Sequence, residues 1–197
     1  MNSDAVNSDA MNSDTPSLLF VLREDIRGMI LRRSGNRVAF AISAFLKILL
    51  YPRIQAVILF RFAHALHRRG LAPLAYALQA IMLRCSGAEI HPAARIGPGL
   101  CLVHSSGVVI GDRACIGAHF ICYHGVTVGD SGKKDDGQPV IGDWVKASAG
   151  AKILGSVTVG DHAIIGANAV VLNDVPPYGV AVGIPARVAK FYTAEGH

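Results

Sequence analysis

The sequence predicts a mainly β fold, a parallel β-helix wound from three short strands per turn, behind an N-terminal α-helical segment. Three observations predict it. Between Glu89 and Pro176 an aliphatic residue followed by a small one recurs every six residues, most clearly at Ile96-Gly97, Ile110-Gly111, Ile116-Gly117, Val128-Gly129, Ile141-Gly142, Val159-Gly160 and Ile165-Gly166. Ile90, Leu102, Cys122, Ala147, Ile153 and Val171 keep the same phase where the glycine is missing. Residues 18–85 instead carry apolar side chains at helical spacing, punctuated by Gly and Pro.

One six-residue unit, with a single inward aliphatic side chain, buries too little to hold a fold, so units must stack. Three of them make a triangular turn of about eighteen residues, and successive turns lie about 4.8 Å apart, the spacing of paired strands. A β-sandwich would alternate without a fixed six-residue phase. The phase breaks twice. From Leu102 to Ile110 the step is eight, a two-residue bulge at Ser105-Ser106-Gly107; from Val128 to Ile141 it is thirteen, so about seven residues between Asp130 and Gly137 leave the coil as a loop. Loops that interrupt a rigid scaffold tend to carry function.

In chain order, residues 1–16 form a polar tail that repeats Asn-Ser-Asp three times and is expected to be disordered. Residues 17–88 form a basic helical domain. Its expected helices run from Leu18 to Ile30, from Val38 to Leu50 with Pro52 as the stop, from Ile54 to Arg69, and from Leu74 to Arg84 after the Leu71-Ala72-Pro73 turn. The most apolar runs, Val38 to Tyr51 and Leu71 to Leu83, are fourteen and thirteen residues long, too short to span a bilayer. Residues 89–190 form the β-helix domain, which Pro176-Pro177 stops and a short strand closes, and residues 191–197 are a tail.

The net charge of +5 is unevenly placed: residues 26–88 hold ten Lys or Arg and no acid, leaving all fourteen acids to the rest. Attraction to an anionic partner therefore belongs to the helices, which either pack on the coil and a neighbouring subunit or make peripheral contact with an anionic membrane surface. No nucleic-acid partner is expected. Cys85, Cys101, Cys115 and Cys122 show no metal-binding spacing and read as reduced core residues of a cytoplasmic protein. The first fourteen residues are too polar for a signal peptide.

Glu89-Ile90-His91-Pro92-Ala93-Ala94-Arg95-Ile96-Gly97, Gly107-Val108-Val109-Ile110-Gly111, His124-Gly125-Val126-Thr127-Val128-Gly129, Gly150-Ala151-Lys152-Ile153-Leu154-Gly155 and the Gly183-Ile184-Pro185-Ala186-Arg187 ending resemble the hexapeptide-repeat acyltransferases. The branch they resemble is the serine O-acetyltransferases, over roughly residues 20 to 190. That resemblance implies a left-handed coil and a homotrimer, or a dimer of trimers, with sites between subunits. It also implies acetyl-CoA as co-substrate, no metal, and a small-molecule hydroxyl acceptor. An acid fifteen positions before a histidine forms the family's dyad, matched here by Glu89 and His104. The residues matched to acetyl-CoA binding are Ala149, Gly150, Ala167, Arg187 and Lys190.

The chemistry suits that pair. An alcohol is a poor nucleophile near neutral pH; a neutral imidazole takes its proton during attack on a thioester, and a carboxylate orients the ring and stabilises the imidazolium. His124 lies twenty residues after His104, one turn plus the two-residue bulge, so the two should stack on one face, placing His124 to orient substrate or bind the oxyanion. His91, His119 and His162 are expected to face solvent, and no tight ligand cluster suggests a metal.

The acceptor residues depart from the resemblance. Val103 precedes His104 where serine acetyltransferases carry Asp, Gly137-Gln138-Pro139 replaces Arg-His-Pro, and no acid lies between Asp25 and Glu89. Gln138 remains an acceptor-site candidate. The Glu/His pair, the His-Gly-Val-Thr stretch and the basic helices also resemble exopolysaccharide acetyltransferases of the colanic acid type, making a sugar or polysaccharide precursor the alternative acceptor. Different-class alternatives are a γ-class carbonic anhydrase, which would hold zinc, and a non-catalytic scaffold.

Overall fold

A computed structural model of the chain describes residues 16–30, 45–132 and 137–192. Most of the expected N-terminal tail, the first part of the second expected helix and Lys133, Lys134, Asp135 and Asp136 of the loop lie outside the described residues.

Helix α1 (Leu18–Ile30), the helical residues 45–50, α2 (Pro52–Arg68) and α3 (Ala72–Ser86) precede the coil. Pro52 stops the preceding helical residues at Leu50, as expected, because the residue before a proline is held out of the helical region and Tyr51 is extended at φ −98° and ψ 108°; it also opens α2, since the first helical turn needs no N–H from proline. Gly87 ends α3 at φ 68°, its N–H bonded to Leu83 O, as a left-handed C-terminal residue should. Helices α2 and α3 pack on each other, and α2 buries Ile54, Ala56, Val57, Phe60 and Ala63. Among the described residues no helix is long and apolar enough to cross a membrane.

The strands form the three walls of a prism. The first wall stacks β1 (Glu89–Ile90), β4 (Val109–Ile110), β7 (Thr127–Gly129), β10 (Lys152–Leu154) and β13 (Val170–Val171). The second stacks β2 (Arg95–Ile96), β5 (Cys115–Ile116), β8 (Val140–Ile141) and β11 (Thr158–Val159). The third stacks β3 (Cys101–Leu102), β6 (Ile121–Cys122), β9 (Lys146–Ala147), β12 (Ile164–Ile165), β14 (Gly179–Gly183) and β15 (Ala186–Phe191). Every pairing is parallel except the closing β14–β15 hairpin. This is the left-handed parallel β-helix with an N-terminal helical region that the repeat and the resemblance predict.

Register follows the two phase breaks. Glu89 pairs with Val109, twenty residues on, whereas Val109 pairs with Thr127, eighteen on. Thr127 pairs with Lys152, twenty-five on, because the loop adds seven residues to that turn.

The aliphatic column is buried as expected, from Ile90 at 0% exposure to Val171 at 1%, with Ile96 half-buried at the helical end. One expectation changes. Each unit buries two side chains, not one, since Ala88, Ala94, Leu100, Val108, Ala114, Phe120, Val126, Val145, Ala151, Ala163 and Ala169 are also fully enclosed two residues before the aliphatic position. Strand alternation requires this: positions 88 and 90 point inward and 89 outward. The column is rich in alanine, which the aliphatic pattern does not reveal.

A buried ion pair joins helices to coil. Asp25, 0% exposed, accepts from Arg61 Nε at 2.7 Å and Nη2 at 3.1 Å, and its Oδ1 accepts the N–H groups of Gly99 and Leu100, each at 2.8 Å. Arg61 also donates to Ile96 O at 2.6 Å and Gly97 O at 2.7 Å. With both charges multiply hydrogen-bonded, their burial is sustained.

Candidate active site

The corner where the third wall passes to the first repeats on successive turns after β3, β6, β9 and β12. His104 and His124 occupy two of these, both exposed, with ring centroids 5.7 Å apart and planes at 67°. The expected stacking is therefore present. The corner is built by its backbone: Gly107 N–H donates to Gly87 O, Gly125 N–H to Ser106 O, Gly150 N–H to His124 O and Asn168 N–H to Ala149 O, at 2.8–2.9 Å. The Ser105 hydroxyl donates to Ser86 O at 2.8 Å and is buried, which pins the bulge against the end of α3. Gly150 has φ 72°, and a Cβ there would lie 2.0 Å from Asn168 Oδ1, so a side chain at this turn would be strained and would have to displace the Asn168 amide.

Ala149, Gly150 and Ala167 thus share the corner of His104 and His124, on the next two turns. Arg187 and Lys190 do not; they lie in β15 at the edge of the third wall, both exposed. Arg187 donates to Ala186 O at 2.9 Å and lines a cleft of about 360 Å³ with Asn173, Asp174 and Val188.

Glu89 stands outward and exposed on the first wall, with no hydrogen bond or ion pair to His104 recorded among the described residues. On the same wall the Lys152 ammonium donates to Gly125 O, spanning from the wall to the His124 corner. The third wall flanks His104 on the other side. There Arg53 Nη1 donates to Val103 O at 3.0 Å, the Tyr123 ring lies 6.5 Å from His104, and Lys146 Nζ sits 5.4 Å from the Tyr123 ring. The sequence carried no signal for Arg53, Tyr123 or Lys146, because their proximity to His104 depends on helix docking and turn stacking.

Gln138 is held elsewhere in its own chain. Its amide donates to Asp112 Oδ1 at 2.6 Å and accepts Arg113 N–H at 3.1 Å, at the corner between first and second walls.

Three histidines expected to face solvent are half-buried in ring contacts instead. His91 accepts Ala93 N–H at 3.1 Å and meets Tyr76 edge-on at 5.7 Å. His119 stacks on Trp144 at 3.8 Å, and His162 on Tyr178 at 4.8 Å. The last four residues sit at one repeated corner, with φ between 58° and 60°. Turn-to-turn stacking offsets that strained backbone conformation. Among the described residues no group of three or more His, Cys, Asp or Glu is placed to hold a metal. Cys122 points inward, and burial pushes its thiol far up, so no thiolate forms there.

The model of the bacterial transferase hexapeptide (six repeats) matches residues 138–173. A serine acetyltransferase of Helicobacter pylori is 49% identical over 141 residues, spanning 71% of this chain and 82% of that protein. The solved soybean serine acetyltransferase complexed with serine superposes with a TM-score of 0.78 at 40% identity, covering 89% of this chain and 70% of that one. The serine acetyltransferase of Brucella abortus in complex with coenzyme A gives 0.77 at 36% identity, covering 88% and 68%. Identity and coverage of this extent place the chain in the serine acetyltransferase family.

Proposed function

We propose that the chain is an acetyl-CoA-dependent O-acetyltransferase of the serine acetyltransferase type, with a small hydroxylated acceptor, serine first. The observation that carries this reading is the corner itself: His104 at the bulge, His124 5.7 Å from it, and the small residues Ala149, Gly150 and Ala167 on the following turns. The relatives of known structure include one bound to serine and one bound to coenzyme A, which supports both substrates. The named relatives lend nothing to the sugar alternative.

In the proposed mechanism the His104 imidazole takes the acceptor hydroxyl proton as the oxygen attacks the thioester carbonyl carbon. The tetrahedral oxyanion then collapses, the carbon–sulfur bond breaks, and the imidazolium returns its proton to the leaving CoA thiolate. Glu89 orients and stabilises that imidazolium. His124, on the next turn, orients the acceptor or donates to the oxyanion. Ala149, Gly150 and Ala167 leave room and backbone groups for the pantetheine arm, while Arg187 and Lys190 meet the phosphates. The site lies between subunits of a trimer, or of a dimer of trimers, where a neighbouring copy's loop carries Gln138 to the acceptor. Exposed apolar helical residues such as Leu49, Leu50 and Leu74 suit subunit packing in a cytoplasmic assembly better than membrane contact.

His104→Ala should lower acetyl transfer to serine at least about 100-fold, measured by thiol release from acetyl-CoA, with unchanged melting temperature and assembly. Turnover at the wild-type rate in this variant would overturn the mechanism.

A further inference from the structure

The third wall beside His104 carries positive charge that acetyl transfer does not itself require. Arg53, in the first turn of α2, is half-buried and reaches the coil fifty residues away, donating from Nη1 to Val103 O at 3.0 Å. Its guanidinium carbon lies 5.6 Å from the centre of the Tyr51 ring. Among the described residues no acceptor meets Nε or Nη2. The bond to Val103 fixes the guanidinium plane and leaves one edge of its fork unengaged, the geometry that receives a carboxylate on two parallel bonds.

Among the described residues no carboxylate pairs with this charge. Between Asp25 and Glu89 the sequence has none, and Asp25 is fully buried on Arg61, Gly99 and Leu100. The outward side chains of this wall near the site are Cys101, Val103, Ile121, Tyr123 and Lys146; Lys146 adds a second cation. Glu89 stands on the first wall, on the far flank of the corner. Burial pushes the Cys101 thiol up while Arg53 pulls it down, so the guanidinium's field reaches the wall.

Resting on the acetyl-transfer reading for its reaction, we propose that Arg53 anchors the acceptor's carboxylate: the acceptor is a short hydroxy acid whose carboxylate lies on the Arg53 fork while its hydroxyl meets His104. The anchoring bond is to the carbonyl of Val103, the residue immediately before His104, so the guanidinium is tied to the backbone next to the base. The cations then act on specificity, opposing acceptors that lack the acid group.

The test is calorimetric titration of L-serine and serinamide into the wild-type protein, R53Q and Arg53→Lys, with KM and kcat read in parallel. The wild type should bind serine at least about tenfold more tightly than serinamide. R53Q should remove that preference by weakening serine about 10- to 100-fold, leaving serinamide binding, KM for acetyl-CoA and melting temperature in place. Arg53→Lys, charged but unforked, should keep part of the preference; should R53Q fail to fold, the same partial loss in Arg53→Lys carries the result. A wild type without preference or without binding, a preference intact in either variant, or equal loss of both ligands in R53Q overturns the anchor. Serine binding through Arg53 without thiol release from acetyl-CoA would sink the transfer reading alone. Equal acetylation of serine and serinamide would sink the anchor alone.

Discussion

Cys85 and Cys122 show how one residue type takes two roles according to where the chain puts it. Cys122 fills an inward coil position whose burial keeps its thiol protonated, whereas Cys85 lies exposed on α3. A thiol reagent at neutral pH should modify Cys85 in the native protein and Cys122 only after unfolding, which peptide mass spectrometry would read; rapid native labelling of Cys122 would contradict the inward placement. His104 and His124 differ from these because their corner turns side chains outward, and only an outward imidazole can meet both a hydroxyl and a thioester. The sequence already singled them out, since a spacing of twenty equals one turn plus the bulge. Arg53 was invisible at this scale, one arginine among ten bases of an acid-free stretch.

The helices are elements that the coil holds through few polar contacts, so those contacts matter individually. Asp25→Ala would leave the Arg61 guanidinium and two backbone N–H groups enclosed without their carboxylate. The loss should be about 3–5 kcal/mol, seen as a lower urea midpoint with an unchanged slope. Replacing Asp25 and Arg61 together by apolar residues of similar volume should recover much of it; a double variant as unstable as Asp25→Ala would contradict this account. Helix boundaries were legible from Pro and Gly, and Pro52 sets two of them at once. It holds Tyr51 out of the helical region, which ends the preceding helical residues at Leu50, while its fixed φ and missing N–H suit the first turn of α2.

The whole molecule is a prism with a helical cap, and its stability should respond to pH where the two meet. His64 on α2 donates from Nδ1 to Pro92 O at 2.8 Å. Burial lowers its pKa below the ordinary 6.5, a shift that the Pro92 bond opposes and Arg61, Arg68 and His67 reinforce. The unfolded chain therefore takes up the proton first. His64 leaves stability intact above about pH 6.5 and erodes it as pH falls from there toward its folded value. The melting temperature should drop more between about pH 7.5 and 5.5 in the wild type than in His64→Gln; equal drops would place the pH sensitivity elsewhere.

Sequence alone determined the coil, because its period is local: every six residues present the same face, and an insertion of two or seven must appear as a register offset of twenty or twenty-five. It also determined the stacked histidines, which follow from the same count. The second buried column escaped notice because alanine takes six of its eleven fully enclosed positions, although the rule of alternation was available. Only the tertiary structure decided the Asp25–Arg61 link, the ring column from His119 to Tyr178 and the approach of Arg53 to Val103. Each joins residues whose separation follows no repeat, so the geometry of docking, rather than periodicity, sets the charge beside His104.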